Sequence, residues 1–249
     1  MEGSRYTLGP LVGTALVTLG GFTLLFSALC GLAYCVAMWA VWVVPRVAPL
    51  PRPRSLSWHV VVRPEFLSPT VVLAASTAAL SAGVGFLPVL GAASGMNAFV
   101  TGAGVSILSA CAVLAQPWAG RALDSKRLSY RAGSAAGLLL CAAGFIAAAT
   151  IPGLAGLLAC AIAIGSGAGV LTPLGFAFLA ASAPAERLGE TLGAAEVGRE
   201  LGDADGPLLV GAISAASTLS LGLLGAAIAL VAAAVIAPAG FSSRRLFRA

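Results

Sequence analysis

The chain has 249 residues, of which 59% are hydrophobic and only 9% charged. Soluble domains carry about 25% charged residues, so this composition excludes a water-surrounded globule and makes lipid the solvent for most of the chain. The formal net charge of +5 does not mark a nucleic-acid binder, because the cations are spread over short gaps with no aromatic interleaving and no basic fold module.

The first apolar tract covers 8–44. One helix of that length would reach well beyond a ~30 Å hydrocarbon core, and Gly20-Gly21 is the natural place to divide it. The division leaves a stub over 7–19, too short to cross unaided, and a full span over 22–44. Residues 45–69 form the longest polar connection and hold Pro45, Pro49, Pro51, Pro53, Pro64 and Pro69. Proline at that density excludes regular helix and favours an extended linker. Further spans are expected at 70–90, 97–119, 132–151, 153–180, 191–216 and 219–238. The fold class is all-α: a polytopic membrane helix bundle of about seven full spans plus the stub.

Charge sets the orientation. Arg46, Arg52, Arg54 and Arg63 follow the first full span, Arg121, Lys126, Arg127 and Arg131 follow the third, and Arg244, Arg245 and Arg248 close the chain. The gaps at 91–97, 150–153 and 217–220 have no ionisable residue. Basic loops stay on the cytoplasmic side. The linker, the 120–131 and 182–190 loops and the C-terminus are therefore expected inside a multi-pass protein of the inner (plasma) membrane.

Within the spans, Gly133 with Gly137 and Gly165 with Gly169 put small residues on one helix face, a packing signal in lipid. Pro88, Pro117, Pro173 and Pro207 can bend their helices. The run Gly165 to Gly169 ahead of Thr172-Pro173 reads as the softest stretch. Cys30, Cys35, Cys111, Cys141 and Cys160 all lie in apolar stretches and read as small buried hydrophobes. The one histidine, His59, sits in the linker. No metal site, cofactor or catalytic constellation is expected.

The 191–216 span is the exception to the low charge. It carries Glu196, Arg199, Glu200, Asp203 and Asp205, and an ionisable group at a helix centre in lipid costs about 2.5–3.5 kcal/mol. At 3.6 residues per turn the first four share one face, and Asp205 points away. Arg199 is placed to pair with Asp203 at i+4 or Glu196 at i−3. One interpretation is a solvated helix end with snorkelling side chains. The other is a cluster facing a cavity, with Asp203 first and Glu200 second as proton-coupling groups and Arg199 holding the cluster.

Two segments echo each other: Glu2-Gly3-Ser4-Arg5 followed by Gly9-Pro10-Leu11-Val12-Gly13, and Glu196-Val197-Gly198-Arg199 followed by Gly206-Pro207-Leu208-Leu209-Val210-Gly211. Such an echo suits a transporter of two parallel halves. Here the chain resembles the major facilitator superfamily, read from late in the fifth helix to the end of the twelfth. Gly9, Pro10 and Gly13 look like the fifth-helix Gly-Pro motif of its drug/proton antiporters. The run Gly120-Arg121-Ala122-Leu123-Asp124-Ser125-Lys126-Arg127 looks like the second copy of the family's Gly-x-x-x-Asp-Arg loop. The linker sits where the family joins its halves. Thr14 and Arg5 stand where that motif usually has glycine, and Ser125 where the loop usually has arginine.

The resemblance implies a major facilitator-type C-terminal half. Residues 1–44 are then a remnant of the N-terminal bundle, 45–69 the cytoplasmic linker, 70–240 a six-helix bundle and 241–249 a basic tail. Asp124, with Gly120 and Arg121, would latch helix ends on the cytoplasmic face, and Gly206 and Pro207 would join Gly9, Pro10 and Gly13 as helix-bend elements. The implied activity is proton-coupled efflux of a drug or small metabolite. The implied partners are that substrate, the proton, the lipid bilayer and a companion chain supplying the missing helices. A chain read this way is expected to be truncated and inactive alone. The rival expectation is a non-transporting membrane partner or assembly subunit.

Overall fold

A computed structural model describes residues 3–43, 64–184 and 187–239. The chain divides into two units, Met1–Arg54 and Ser55–Ala249. In the first unit, α1 covers Gly3–Val43 and is broken where the tract divides, with Gly20 at φ −150°, ψ 19° and Gly21 at φ 68°, ψ −170°. The helix starts earlier than the expected stub, and the break separates it from 22–43. Those 22 residues span about 33 Å at 1.5 Å per residue, enough for the hydrocarbon core. Phe22 and Phe26 stack at 6.4 Å, and Phe22, Trp39 and Trp42 are exposed.

Gly21 occupies a backbone region open essentially to glycine alone. Gly21→Ala is expected to move the break or strain the turn by about 1–3 kcal/mol. Spin-label distances between positions 16 and 28 would lengthen if the helix straightens and stay fixed if glycine is dispensable.

Among its described residues the second unit holds six helices: α2 (Pro64–Ala93), α3 (Ala98–Asp124), α4 (Tyr130–Thr150), α5 (Gly153–Ser182), α6 (Leu188–Ala216) and α7 (Leu219–Ala239). They follow the apolar periodicity closely, with two corrections. Helix α2 begins at Pro64, so 64–69 is helical although proline density argued for linker. Pro64 sits at the first helical position, where its missing N–H is not needed. Pro69 deprives one carbonyl near the helix start. The rest of the linker, 45–63, with His59 and its arginines, lies outside the described residues, as does the 241–249 tail.

The other correction is at α3, which runs on to Asp124 rather than ending at Ala119. Gly120, Arg121 and Asp124 are thus on its last turn, not in an open loop. Hydropathy marks where the apolar side chains stop, whereas the backbone bonds continue for another turn. The stop is chemical: Lys126 adopts φ 56°, and the amides of Lys126 and Arg127 return to the carbonyls of Leu123 and Ala122 at 3.0 Å each. This is a left-handed C-terminal cap with lysine where glycine is usual. Asn97 caps α3 by accepting the Val100 amide at 3.0 Å, and Ser129 caps α4 by accepting that of Ala132 at 3.2 Å.

Packing is dictated by glycine. A Cβ at Gly165 or Gly169 of α5 would collide with the carbonyls of Leu108 and Ala112 on α3. Gly137 of α4 meets Gly167 of α5 in the same way. The run from Gly165 to Gly169, expected to be the softest stretch, lies in an unbroken helix with all three glycines buried in these contacts. Helices α3 and α4 thus each pack on α5 backbone to backbone, and Leu108, Leu138, Phe145, Ile164 and Leu171 are buried in the core. Among the described residues, six helices are long and apolar enough to cross a membrane, α1 to α5 and α7. Helix α6 is set apart by its charges.

Candidate functional site

Helix α6 is positioned by α2. Gly198 lies against Thr70, Gly202 against the Ala74 carbonyl and Gly206 against the Ala78 carbonyl. Three glycines spaced by four therefore meet three α2 residues spaced by four. The numbers rise together, so the two helices run parallel. This glycine ladder was not singled out in the sequence, although its four-residue spacing matches that of the two pairs that were.

The register fixes depth along α2. Asp203 lies level with Ala75. That is about 7 Å from the middle of the apolar segment Phe66–Ala93, taking 1.5 Å per residue. Glu196 and Arg199 lie one to two turns nearer the α2 start.

The charged face forms from Glu196, Arg199 and Glu200. The Arg199 guanidinium donates to both Glu196 carboxylate oxygens, at 2.8 and 2.6 Å, and to Glu200 at 2.6 Å. The i−3 pairing is therefore present. The i+4 pairing with Asp203 is not among the ion pairs of the described residues; Glu200 is bonded in its place. Exposed fractions of 28%, 44% and 59% for Arg199, Glu196 and Glu200 mark a cluster at the bundle surface. In water such pairs contribute ~0–1 kcal/mol. Against lipid, an unpaired arginine would cost several times more, so the double pairing is what makes the position tolerable. Asp203 is exposed next to this cluster, and Asp205, also exposed, points elsewhere.

The remaining candidates separate. Asp124 is exposed at the end of α3, and no ion pair of the described residues includes it. Arg121 turns back to the Pro117 carbonyl at 3.1 Å. Gly13 lies in α1 before the break, as do Gly9 and Pro10, whose side-chain surroundings are outside the described set. Asn97 and Thr172 serve backbone groups, the first as a cap and the second by donating to the Ala168 carbonyl at 3.0 Å. A cavity of about 90 Å³ lies between α2, α4, α6 and α7, lined by Ala79, Phe145, Gly206, Leu209 and Leu230 among others. Its walls are apolar, and the acidic face of α6 does not line it. Among the described residues no group of His, Cys, Asp and Glu is arranged to hold a metal ion.

A bundle of long apolar helices in glycine contact, with one charged helix, defines a multi-pass membrane protein. The family model of the Major Facilitator Superfamily matches residues 71–245, and the chain belongs to that family. It is a membrane transporter by that membership, with a small molecule as substrate. No curated protein matches the chain.

Proposed function

We propose that the chain acts in proton-coupled efflux of drugs or small metabolites, as an antiporter of the inner (plasma) membrane with its C-terminus in the cytoplasm. The observation that carries this is the exposure of Asp203 on α6, one face away from the glycine ladder and about 7 Å from the middle of the α2 segment. A carboxylate at such depth costs about 2.5–3.5 kcal/mol against lipid. Its face therefore belongs against water or polar groups, which is what a transport cavity supplies. Asp203, then Glu200, takes and releases the proton. Arg199 holds the cluster through Glu196 and Glu200. Asp124, Gly120 and Arg121 serve the cytoplasmic end of α3 as a latch that engages in another state of the cycle.

In this family the substrate path runs between two bundles. The second bundle would come from further helices, in one polypeptide or a companion chain. Reconstituted by itself in vesicles with an imposed pH gradient, the 249-residue chain is expected to move no proton in exchange for solute. Robust exchange by the chain alone would overturn the need for a second bundle.

A second reading is favoured by the exposed 22–43 helix and its aromatic side chains: a non-transporting membrane partner that docks on other helices. In that case a stoichiometric helical partner is recovered with the chain, and neutralising Asp203 changes nothing.

A further inference from the structure

Pro207 lies inside α6. In a helix the amide of residue 207 would bond to the carbonyl of residue 203, and proline has no amide to give. The Asp203 carbonyl therefore loses its donor within the helix. The structure supplies another: the Ser81 hydroxyl of α2 donates to that same carbonyl at 2.8 Å. We infer that Ser81 is a positioning residue for the acidic face of α6, standing in for the amide that Pro207 removes.

Three observations support the assignment. First, a hydroxyl in these spans can bond within its own helix, as Thr70, Thr77 and Thr172 do by donating to the carbonyls four residues back at 2.7, 2.8 and 3.0 Å, whereas the α2 serines reach across, Ser68 to the Ala237 carbonyl of α7 and Ser76 to the Ala168 carbonyl of α5. Ser81 has an acceptor in its own helix, the Ala78 carbonyl three residues back at 3.4 Å, and its bond across to α6 at 2.8 Å is the shorter. Second, the reach depends on the glycine ladder. Gly202 and Gly206 bring the two backbones into contact on either side of Asp203, and a larger residue at either place would carry the carbonyl beyond a serine hydroxyl. Third, the acceptor is the one carbonyl of α6 that Pro207 frees. The direction of the 203–207 turn, and so of the Asp203 side chain, is thereby set by α2 instead of by α6 itself. The inference concerns how the turn is held, and it stands whether or not the chain transports.

The test reads the carbonyl directly. Asp203 is the one aspartate followed by alanine; Asp124 precedes Ser125 and Asp205 precedes Gly206. A sample labelled with carbonyl-¹³C aspartate and ¹⁵N alanine therefore isolates the Asp203–Ala204 peptide by NMR of the full chain in lipid. Ser81→Ala is expected to move that carbonyl resonance upfield as the bond is lost, and Ser81→Thr to leave it in place. Pro207→Ala restores the intrahelical donor, so Ser81→Ala added to it is expected to leave the resonance where Pro207→Ala alone puts it, the signature of two groups acting on one acceptor. An Asp203 carbonyl indifferent to Ser81→Ala would overturn the inference. So would equal shifts with and without Pro207. If the Pro207 variant fails to fold, the alanine and threonine variants at Ser81 decide the matter alone.

Discussion

Gly202→Val is expected to disassemble the six-helix unit. The Cα of Gly202 lies against the Ala74 carbonyl, and a Cβ there would fall inside that oxygen's van der Waals shell. The obstacle is backbone, which has no rotamer to yield, so α2 and α6 must part along the ladder. Overpacking of a tight interior typically costs about 1–3 kcal/mol and sometimes more, and here the separation also removes the Gly198 and Gly206 contacts. The loss is expected at or above the top of that range, seen as a fall in the thermal unfolding midpoint in detergent. Gly193→Ala on the same helix is the control. Its added methyl meets nothing within 4 Å, and alanine is the better helix former by ~0.8–1 kcal/mol. It should unfold at or slightly above the parent temperature. Equal behaviour of the two variants would mean that α2 and α6 do not pack through their glycines.

Asp203→Asn is expected to remove coupling without removing the fold. The side chain is exposed and outside the ion pairs of the described residues, so amide for carboxylate leaves the packing untouched while deleting the group proposed to carry the proton. General acid–base groups typically contribute about 10²–10⁴-fold. In everted vesicles from cells making the protein at its natural level, solute-driven dissipation of the pH gradient should fall at least about tenfold, toward that of a deletion strain. Asp205→Asn, on the opposite side of the helix, should retain it. Retained coupling in Asp203→Asn with loss in Glu200→Gln would shift the role one turn, and retention in both would remove the acidic face from the mechanism.

The two predictions rest on features of unequal visibility in the sequence. Apolar runs are long and their interruptions sharp, so the helices of the second unit were legible to within a few residues, and Gly20-Gly21 marked a real break in α1. The ends of α2 and α3 were not, because hydropathy records contact with lipid while a helix continues as long as its amides find acceptors. The shared face of Glu196, Arg199, Glu200 and Asp203 followed from helical geometry. Which carboxylates Arg199 would take did not, since a long guanidinium reaches Glu200 next to it as readily as a residue one turn on. The spacing of Gly198, Gly202 and Gly206 puts small residues on one face of α6, but no local pattern says that the face packs on α2. The Ser81 bond to Asp203 joins residues 122 apart, and no local pattern announces a pairing of that separation.

The claim beneath all of this is that the helices thread a bilayer to and fro. Paired reporter fusions test it most directly, one set active only outside the cytoplasm and one fluorescent only within it, placed after Gly95, Lys126, Ile151 and Ser217. The account predicts that Gly95, Ile151 and Ser217 report the outside and Lys126 the cytoplasm. Fusions at Gly95 and Lys126 reporting the same side would contradict it.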